Sequence, residues 1–494
     1  MKAKAWIFSW LIIVLSAFCI TGYLVYDIDP FFHYHKPKTD RYYYTLDNPR
    51  SQNAGICKHF DYDAEITGSS MTRNFRTTEA EQLFHQRFIK PVYTGATFKE
   101  VNDGLVTALQ ANPDLKTVIR CLDTDRFFDP WYAMRGDLGQ FPDYLYDDKA
   151  WNDVEYLLNR DVLFGRVLQM IADRKQEGFR PGITSFDDYE RAQESWTFGI
   201  NTVCPYGITS TPPETYEHLS EEEKAVIREN IEINVTNAAD AYPDTDFYFF
   251  YPPYSIDVWN DANNMGSLYK ILEAEAYITE LLLQHENIRL FSFNNRTDIT
   301  TDLNHYYDGR HYAAWINSMI LKWIHDGDYQ ITQDNYQDYL KKEYDFYTTF
   351  DYESINGQED YAEDDYAAAL LNEELTGAAP MPIPADDKVI GFETAYSGQS
   401  LVISDVNLDE GYRYLCFTGT KAGDQDGMTV SVFGEDGEAL FAKTLQTSNT
   451  EEKSHRYVVD LSALRGKVTV VMNGGDAGQA GYTEASPFTD ITLY

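Results

Sequence analysis

Tyr62-Asp63-Ala64-Glu65-Ile66-Thr67-Gly68-Ser69-Ser70-Met71 is the stretch whose reading decides the fold. A short apolar run ends on Gly-Ser-Ser, and a small-residue turn at the carboxyl end of a strand lifts a hydroxyl into the cleft above a sheet. Far downstream, Tyr307-Asp308-Gly309-Arg310-His311-Tyr312 follows a second strand-like run and leads into the apolar stretch Tyr312–Ile324. An Asp-x-x-His turn there brings a base, and the carboxylate that orients it, to the same edge. Nucleophile, base and orienter are what acyl transfer requires. Each piece alone has a plainer reading: Ser70 as the cap of the segment from Met71, and His311 as a packing residue in the first turn of a helix. Asp302-Leu-Asn-His305 repeats the spacing. The later pair is preferred because Asp308-Gly309 supplies a turn and the apolar helix follows directly.

Working outward, short apolar runs alternate with helical stretches from about residue 60 to 345. Strands are expected at Ala64–Thr67, Lys90–Thr94, Thr117–Leu122, Asp246–Tyr251 and Ile288–Phe293, and helices at about 78–87, 98–111, 220–240, 264–285 and 312–325. This alternation predicts an α/β fold with a mostly parallel sheet and flanking helices. Ser70, Gly95, Asp123, Pro252-Pro253 and Asp308 would then gather at the carboxyl edge, where such sheets bind ligands. Gly95 is either an oxyanion donor through its N–H or an ordinary turn. Asp123 and Asn201 are candidate substrate-lining groups. Tyr42 to Lys58 reads as an irregular polar lead-in. Residues 124–219 are too long for one connection and read as an insertion over the cleft, a lid or substrate platform.

Asp351–Asp387 holds eleven Asp or Glu and no Lys or Arg, and reads as an acidic linker with one short helix at Ala367–Leu375. From 388 to 494, short alternating runs split by Gly and Asp turns predict an all-β, jelly-roll-like sandwich. Val402-Ile403, Tyr412-Arg-Tyr-Leu and Asp490-Ile-Thr-Leu-Tyr494 resemble galactose-binding-like sandwiches, which implies a carbohydrate-binding role. The expected division is therefore 1–27, 28–350, 351–387 and 388–494.

Ala5 to Tyr26 carries no charge across 22 residues, and as a helix it spans roughly 33 Å, enough for a hydrocarbon core of about 30 Å. Lys2 and Lys4 precede it, and Asp27 and Asp29 follow, so the remainder is expected on the extracytoplasmic side of the cell membrane. A cleaved signal peptide is the rival reading; the run is long for one and no Ala-x-Ala site follows. The net charge of −39 argues against nucleic acid as a partner. Five cysteines make no disulfide framework, and Cys57 and Cys204 would pair only if the fold joined them. No cysteine or histidine spacing suggests a metal site.

Gly68-Ser69-Ser70, Gly95 and Asp308-Gly-Arg-His311 together resemble the SGNH/GDSL hydrolase superfamily across roughly residues 60–325. The closest flavour is the membrane-anchored branch that includes DltD-like proteins of teichoic acid metabolism and acetyltransferase-like proteins of polysaccharide export. The resemblance implies Ser70 as nucleophile, His311 as base, Asp308 as its orienter, and the Ser70 and Gly95 amides as the oxyanion hole. It implies an acyl transferase or esterase acting on a cell-envelope polysaccharide or teichoic acid-like polymer, with no cofactor, and a membrane-bound O-acyltransferase as partner. One block departs: after Thr117–Leu122 the chain has Asp123-Thr124, not Gly-x-Asn-Asp. That leaves a second reading open, a non-catalytic glycan-binding protein with a degenerate SGNH domain.

Overall fold

The computed structural model describes residues 2–147, 149–176, 178–191, 197–358, 381–382, 388–392, 398–410, 414–420, 429–435, 437, 439–444, 454–461, 464–476 and 488–493. The expected helix at Ala367–Leu375, most of the acidic linker, and Ser195-Trp196 fall outside these residues.

Six strands form one sheet: β1 (Ala64–Thr67), β2 (Phe88–Ile89), β3 (Thr117–Cys121), β4 (Asp246–Tyr251), β5 (Ile288–Ser292) and β6 (Gln330–Ile331), in the order β2-β1-β3-β4-β5-β6. All neighbours are parallel except the antiparallel edge pair β5–β6. Successive residues serve opposite cores, because side chains alternate across a strand. Val118, Phe247, Phe249, Tyr251 and Leu290 pack on one face, and Ile119, Cys121, Phe250 and Phe291 on the other. Both faces are covered, as a parallel sheet requires.

Helices α1 (Lys2–Ile28), α2 (Pro49–His59), α3 (Thr77–Phe84), α4 (Phe98–Ala111), α5 (Glu221–Ile231), α6 (Ile256–Met265), α7 (Leu268–Leu282), α8 (Ala314–Asp326) and α9 (Tyr336–Thr349) complete the main elements. Ile56 of α2, Leu105 of α4, Ile231 of α5 and Ile278 of α7 fill the first core; Ala80 of α3, Trp259 of α6 and Ile320 of α8 fill the second. The result is a three-layer α/β/α arrangement.

Three local expectations are corrected. The supposed irregular lead-in contains α2, whose polar residues are buried and bonded: Gln52 donates to Pro30 O and Thr45 O, and Asn53 to Val92 O. The second strand pairs through Phe88–Ile89, with only an isolated bridge from Val92 to Gly68. Pro91, which has no N–H to give, sits between them. The helix expected over 264–285 is broken at Gly266, which takes a left-handed φ of 76° between α6 and α7.

The insertion carries short helical segments and a two-residue strand, Gly182–Ile183, that pairs in parallel with Tyr43–Tyr44. Towards the C-terminus the backbone is antiparallel β. Lys388–Phe392, Gly398–Asn407, Lys467–Asp476, Thr429–Gly434 and Ala439–Thr444 form one sheet; Ser454–Asp460, Tyr414–Thr420, Phe488–Leu493 and Met381–Pro382 form another. Ile403, Val430 and Val470 of the first sheet share a core with Phe417, Val459 and Ile491 of the second. That is face-to-face sandwich packing.

Candidate active site

Strand β1 ends at Thr67, and the chain turns sharply at Gly68, whose φ is 145°. A Cβ there would stand 2.9 Å from Thr72 Cγ2 and 3.1 Å from Cys121 Cβ, so only glycine fits. Ser69 then caps a single helical turn, Ser70–Thr72, by accepting from Met71 N at 3.3 Å. Its hydroxyl donates in turn to Asp123 Oδ1 at 2.9 Å. The Tyr254 hydroxyl donates to the same oxygen at 2.8 Å. From the far side, Asn317 Nδ2 of α8 donates to Met71 O at 3.0 Å. Ser70 is held from both flanks while its own side chain stays partly exposed.

The second half is a loop closed by an antiparallel bridge between Tyr306 and Tyr312. Ser255 donates through both N and Oγ to Gly309 O, at 3.1 and 2.8 Å, and pins the loop to the start of α6. Within it, Asp308 Oδ1 accepts from Arg310 N and His311 N, each at 2.8 Å. Asp308 Oδ2 is 2.8 Å from His311 Nδ1, and His311 Nε2 is 2.8 Å from Ser70 Oγ. One imidazole therefore bridges carboxylate and hydroxyl. With an acceptor on Nδ1, the neutral ring carries its proton there and offers the Nε2 lone pair to Ser70.

Partial burial works against ionised Asp308, but hydrogen bonds from the His311 ring and backbone outweigh it and hold the carboxyl below its usual range. Asp123 behaves oppositely. Burial and the nearby Asp125 charge raise its pKa, and bonds from Tyr254 and Ser69 offset only part of that rise.

Gly95 adopts φ 71° two residues after Tyr93, whose N–H donates to Gly68 O at 2.9 Å. Its carbonyl is turned to Arg135 Nη1 at 2.7 Å. Neither Ser70 N–H nor Gly95 N–H meets an acceptor among the described residues. Two backbone donors follow the first two strands without a protein partner, which suits a developing oxyanion.

Of the two expected liners, Asp123 is placed differently. Asp123 is buried beneath the serine turn, so it supports that turn and does not line a cleft. Asn201 is an exposed residue of the short helix Ile200–Val203 in the insertion. The competing pair is looser: His305 Nε2 stands 3.7 Å from Asp302 Oδ2, and the ring packs edge-on against Trp315. Cys57 and Cys204 are both free thiols, and Cys204 Sγ donates to Asp257.

Sequence reasoning missed the supports. Lys90 is fully buried and donates to Arg73 O and Phe75 O at 2.7 and 2.8 Å, bracing the segment after Ser70; burial lowers its pKa to about 7. Asp187 of the insertion accepts from the Thr77 and Thr78 side chains and from Thr78 N at the start of α3. Glu190 reaches Arg73 through its carbonyl and Thr94 through its carboxylate. Ser69 and Asp123 alone had a legible signal, since each follows the end of one of two adjacent strands.

No protein-family model matches the chain, and no curated protein matches it. Among solved structures, a two-domain esterase (CEX) active on acetylated mannans is 9% identical, with 87% of this chain and 89% of that chain covered and a TM-score of 0.23. A chain from Streptococcus pneumonia, provisionally described as a platelet activating factor, is 12% identical over 59% of this chain and 91% of its own, at TM-score 0.28. The K1 cleaved adhesin domain of Lys-gingipain from Porphyromonas gingivalis W83 is 11% identical over 23% of this chain and 76% of its own, at TM-score 0.13. At these values the likenesses carry no functional weight, and the geometry of the site must supply it.

Proposed function

We propose that this chain is a membrane-anchored, serine-dependent acyl esterase or O-acyltransferase that works on ester-linked acyl groups of a cell-envelope glycan. The observation that carries the proposal is the unbroken line Asp308 Oδ2–His311 Nδ1 and His311 Nε2–Ser70 Oγ, both links 2.8 Å. Ser70 Oγ attacks the ester carbonyl while His311 Nε2 takes its proton. The Ser70 and Gly95 N–H groups receive the oxyanion. Collapse expels the alcohol, which takes the proton back from His311 and leaves an acyl-Ser70 ester. Water gives an esterase in the second half; an acceptor hydroxyl gives a transferase. Asp308 keeps the ring in the working tautomer and stabilises the imidazolium.

The anchor is α1, a helix long and apolar enough to cross a membrane. The glycan substrate, the extracytoplasmic placement and a membrane-bound O-acyltransferase as acyl supplier follow from the sequence resemblance and belong to the same proposal. The test is intact-mass analysis of the full chain after treatment with a fluorophosphonate. A single adduct on Ser70, lost in Ser70→Ala and in His311→Ala, is expected. Undiminished labelling in both variants, or no adduct on folded protein, refutes it.

A further inference from the structure

At the foot of α1 the insertion presents an apolar surface that the chemistry at Ser70 does not use. Trp151, Val154, Leu158, Phe164 and Leu168 are 77, 52, 37, 64 and 38% exposed. Phe164 and Leu168 stand one turn apart on consecutive helical segments, Leu163–Val167 and Leu168–Asp173. Single exposed apolar residues are ordinary, but five large ones in eighteen residues, set among the exposed Glu155, Arg160 and Asp161, mark a mixed apolar and charged surface suited to a partner.

Their height relative to α1 identifies that partner. Leu157, on the segment Val154–Leu157, has its Cβ 3.9 Å from where a Cβ on Gly22 would lie. Gly22 is inside the uncharged run, roughly 9 Å before the end of α1 at 1.5 Å per residue. A hydrocarbon core of about 30 Å beginning at Ala5 closes near Leu24. The insertion thus meets α1 level with the boundary between acyl chains and headgroups.

Several contacts tie the join. Tyr156 OH donates to Asp29 Oδ1 at 2.8 Å and accepts from Phe31 N, its ring stacks on Phe31 at 5.4 Å, and the Arg166 guanidinium lies over the same Phe31 ring at 5.4 Å. Asp29 also accepts from the backbone of His33, Tyr34 and His35, which locks the turn leaving the helix. These contacts hold the insertion against the foot of α1, and so beside any bilayer that α1 spans.

We infer that residues 151–168 form an interfacial platform whose Trp151, Val154, Phe164 and Leu168 side chains enter the lipid boundary beside α1 and set the attitude of the catalytic body on the membrane. The inference rests on the proposed reading of α1 as a membrane span. The occupant is lipid held by apolar contact and not by charge: the chain's net charge of −39 would repel an anionic surface, so a zwitterionic bilayer suffices. The same insertion continues to Asp187 and Glu190, which grip the segment after Ser70. It therefore links the membrane surface to the serine turn.

The test is photocrosslinking of the full chain in phosphatidylcholine nanodiscs, with benzoylphenylalanine placed singly at Phe164, at Ile13 within α1, and at Tyr206, which is 99% exposed. Mass spectrometry reads the lipid adducts. The expected result is lipid adduct at Phe164 and Ile13 at least about tenfold above Tyr206, because a residue at the headgroup–acyl boundary is surrounded by acyl chain. Adduct at Ile13 with Phe164 no higher than Tyr206 overturns the platform, keeps the anchor, and leaves the surface to a protein partner. Background yield at both Phe164 and Ile13 overturns the anchor together with the platform.

Discussion

Replacing Asp308 with asparagine tests the reaction geometry more sharply than removing it. Asp308 Oδ1 accepts two backbone N–H groups, from Arg310 and His311, while Oδ2 faces His311 Nδ1. The introduced amide keeps the first pair of bonds only with its oxygen on the backbone side. Its NH2 is then aimed at Nδ1. Nδ1 must accept, so the ring proton moves to Nε2, and Ser70 faces a donor where it needs a base. Turning the amide over restores the tautomer but strands two backbone donors, at about 1–2 kcal/mol each in this half-exposed site. The imidazolium also loses its carboxylate, roughly 1.5–3 kcal/mol for a charged hydrogen bond. The total is about 3.5–7 kcal/mol, or roughly 10³–10⁵ in rate at 1.36 kcal/mol per decade, and the exposure of Asp308 favours the lower end. The assay is kcat on an aryl acetate for wild type, Asp308→Asn and Asp302→Asn, with urea melts to show that all three fold. Asp308→Asn should lose about three decades and Asp302→Asn should stay within about twofold, since it is His311 and not His305 that stands 2.8 Å from Ser70 Oγ. An Asp308→Asn enzyme with more than a tenth of wild-type kcat would refute the orienting role.

Asp123→Ala leaves the Ser69 and Tyr254 hydroxyls without their buried acceptor and should lower unfolding free energy by about 2–4 kcal/mol, read by urea denaturation, with Asp123→Asn losing less than half of that. Gly68→Ala forces a Cβ into Thr72 and Cys121 at φ 145°; we expect a loss of about 2–4 kcal/mol in stability and slower fluorophosphonate capture of Ser70. Burial raises the Glu343 pKa to about 7, and burial together with the Glu343 charge raises that of Glu275 further. Because a folded pKa above the unfolded one stabilises only while the acid is protonated, this contribution is complete below about pH 4.5 and is lost as pH rises through 7. Urea midpoints should therefore fall from pH 5 to pH 8, and Glu343→Gln should flatten that slope; an unchanged slope contradicts the buried-acid reading.

The strands were legible because their two-sided burial writes itself as short, mostly apolar runs, Thr117–Cys121 and Asp246–Tyr251 above all, the first interrupted by the buried Arg120. The same logic failed where backbone chemistry overrode side-chain pattern. Lys90-Pro91-Val92-Tyr93-Thr94 looks like a strand, yet a proline cannot donate, so the ladder stops at Ile89 and touches again only at Val92. Helix α2 failed for the converse reason. Its Gln52 and Asn53 look like loop residues, but both are buried and spend their amides on carbonyls outside the helix. At the site, Ser70, Asp308 and His311 could be named as candidates because the proposed nucleophile, base and orienter have few chemical identities and sit at strand or helix ends. How the serine turn is held could not be read. Asp123 could be assigned to the cleft edge from its position after β3, but whether it faces the cleft or the turn depends on Tyr254 and Ser69 arriving at one oxygen from separate segments. Lys90 carries the same lesson further. A lysine in a strand-like run reads as an exposed edge group, yet this one is buried with two carbonyls of the Ser70 segment as its acceptors. Positions that do chemistry are constrained by residue type and so show in one dimension; positions that hold those residues in place are constrained by partners, and partners exist only once the chain has folded.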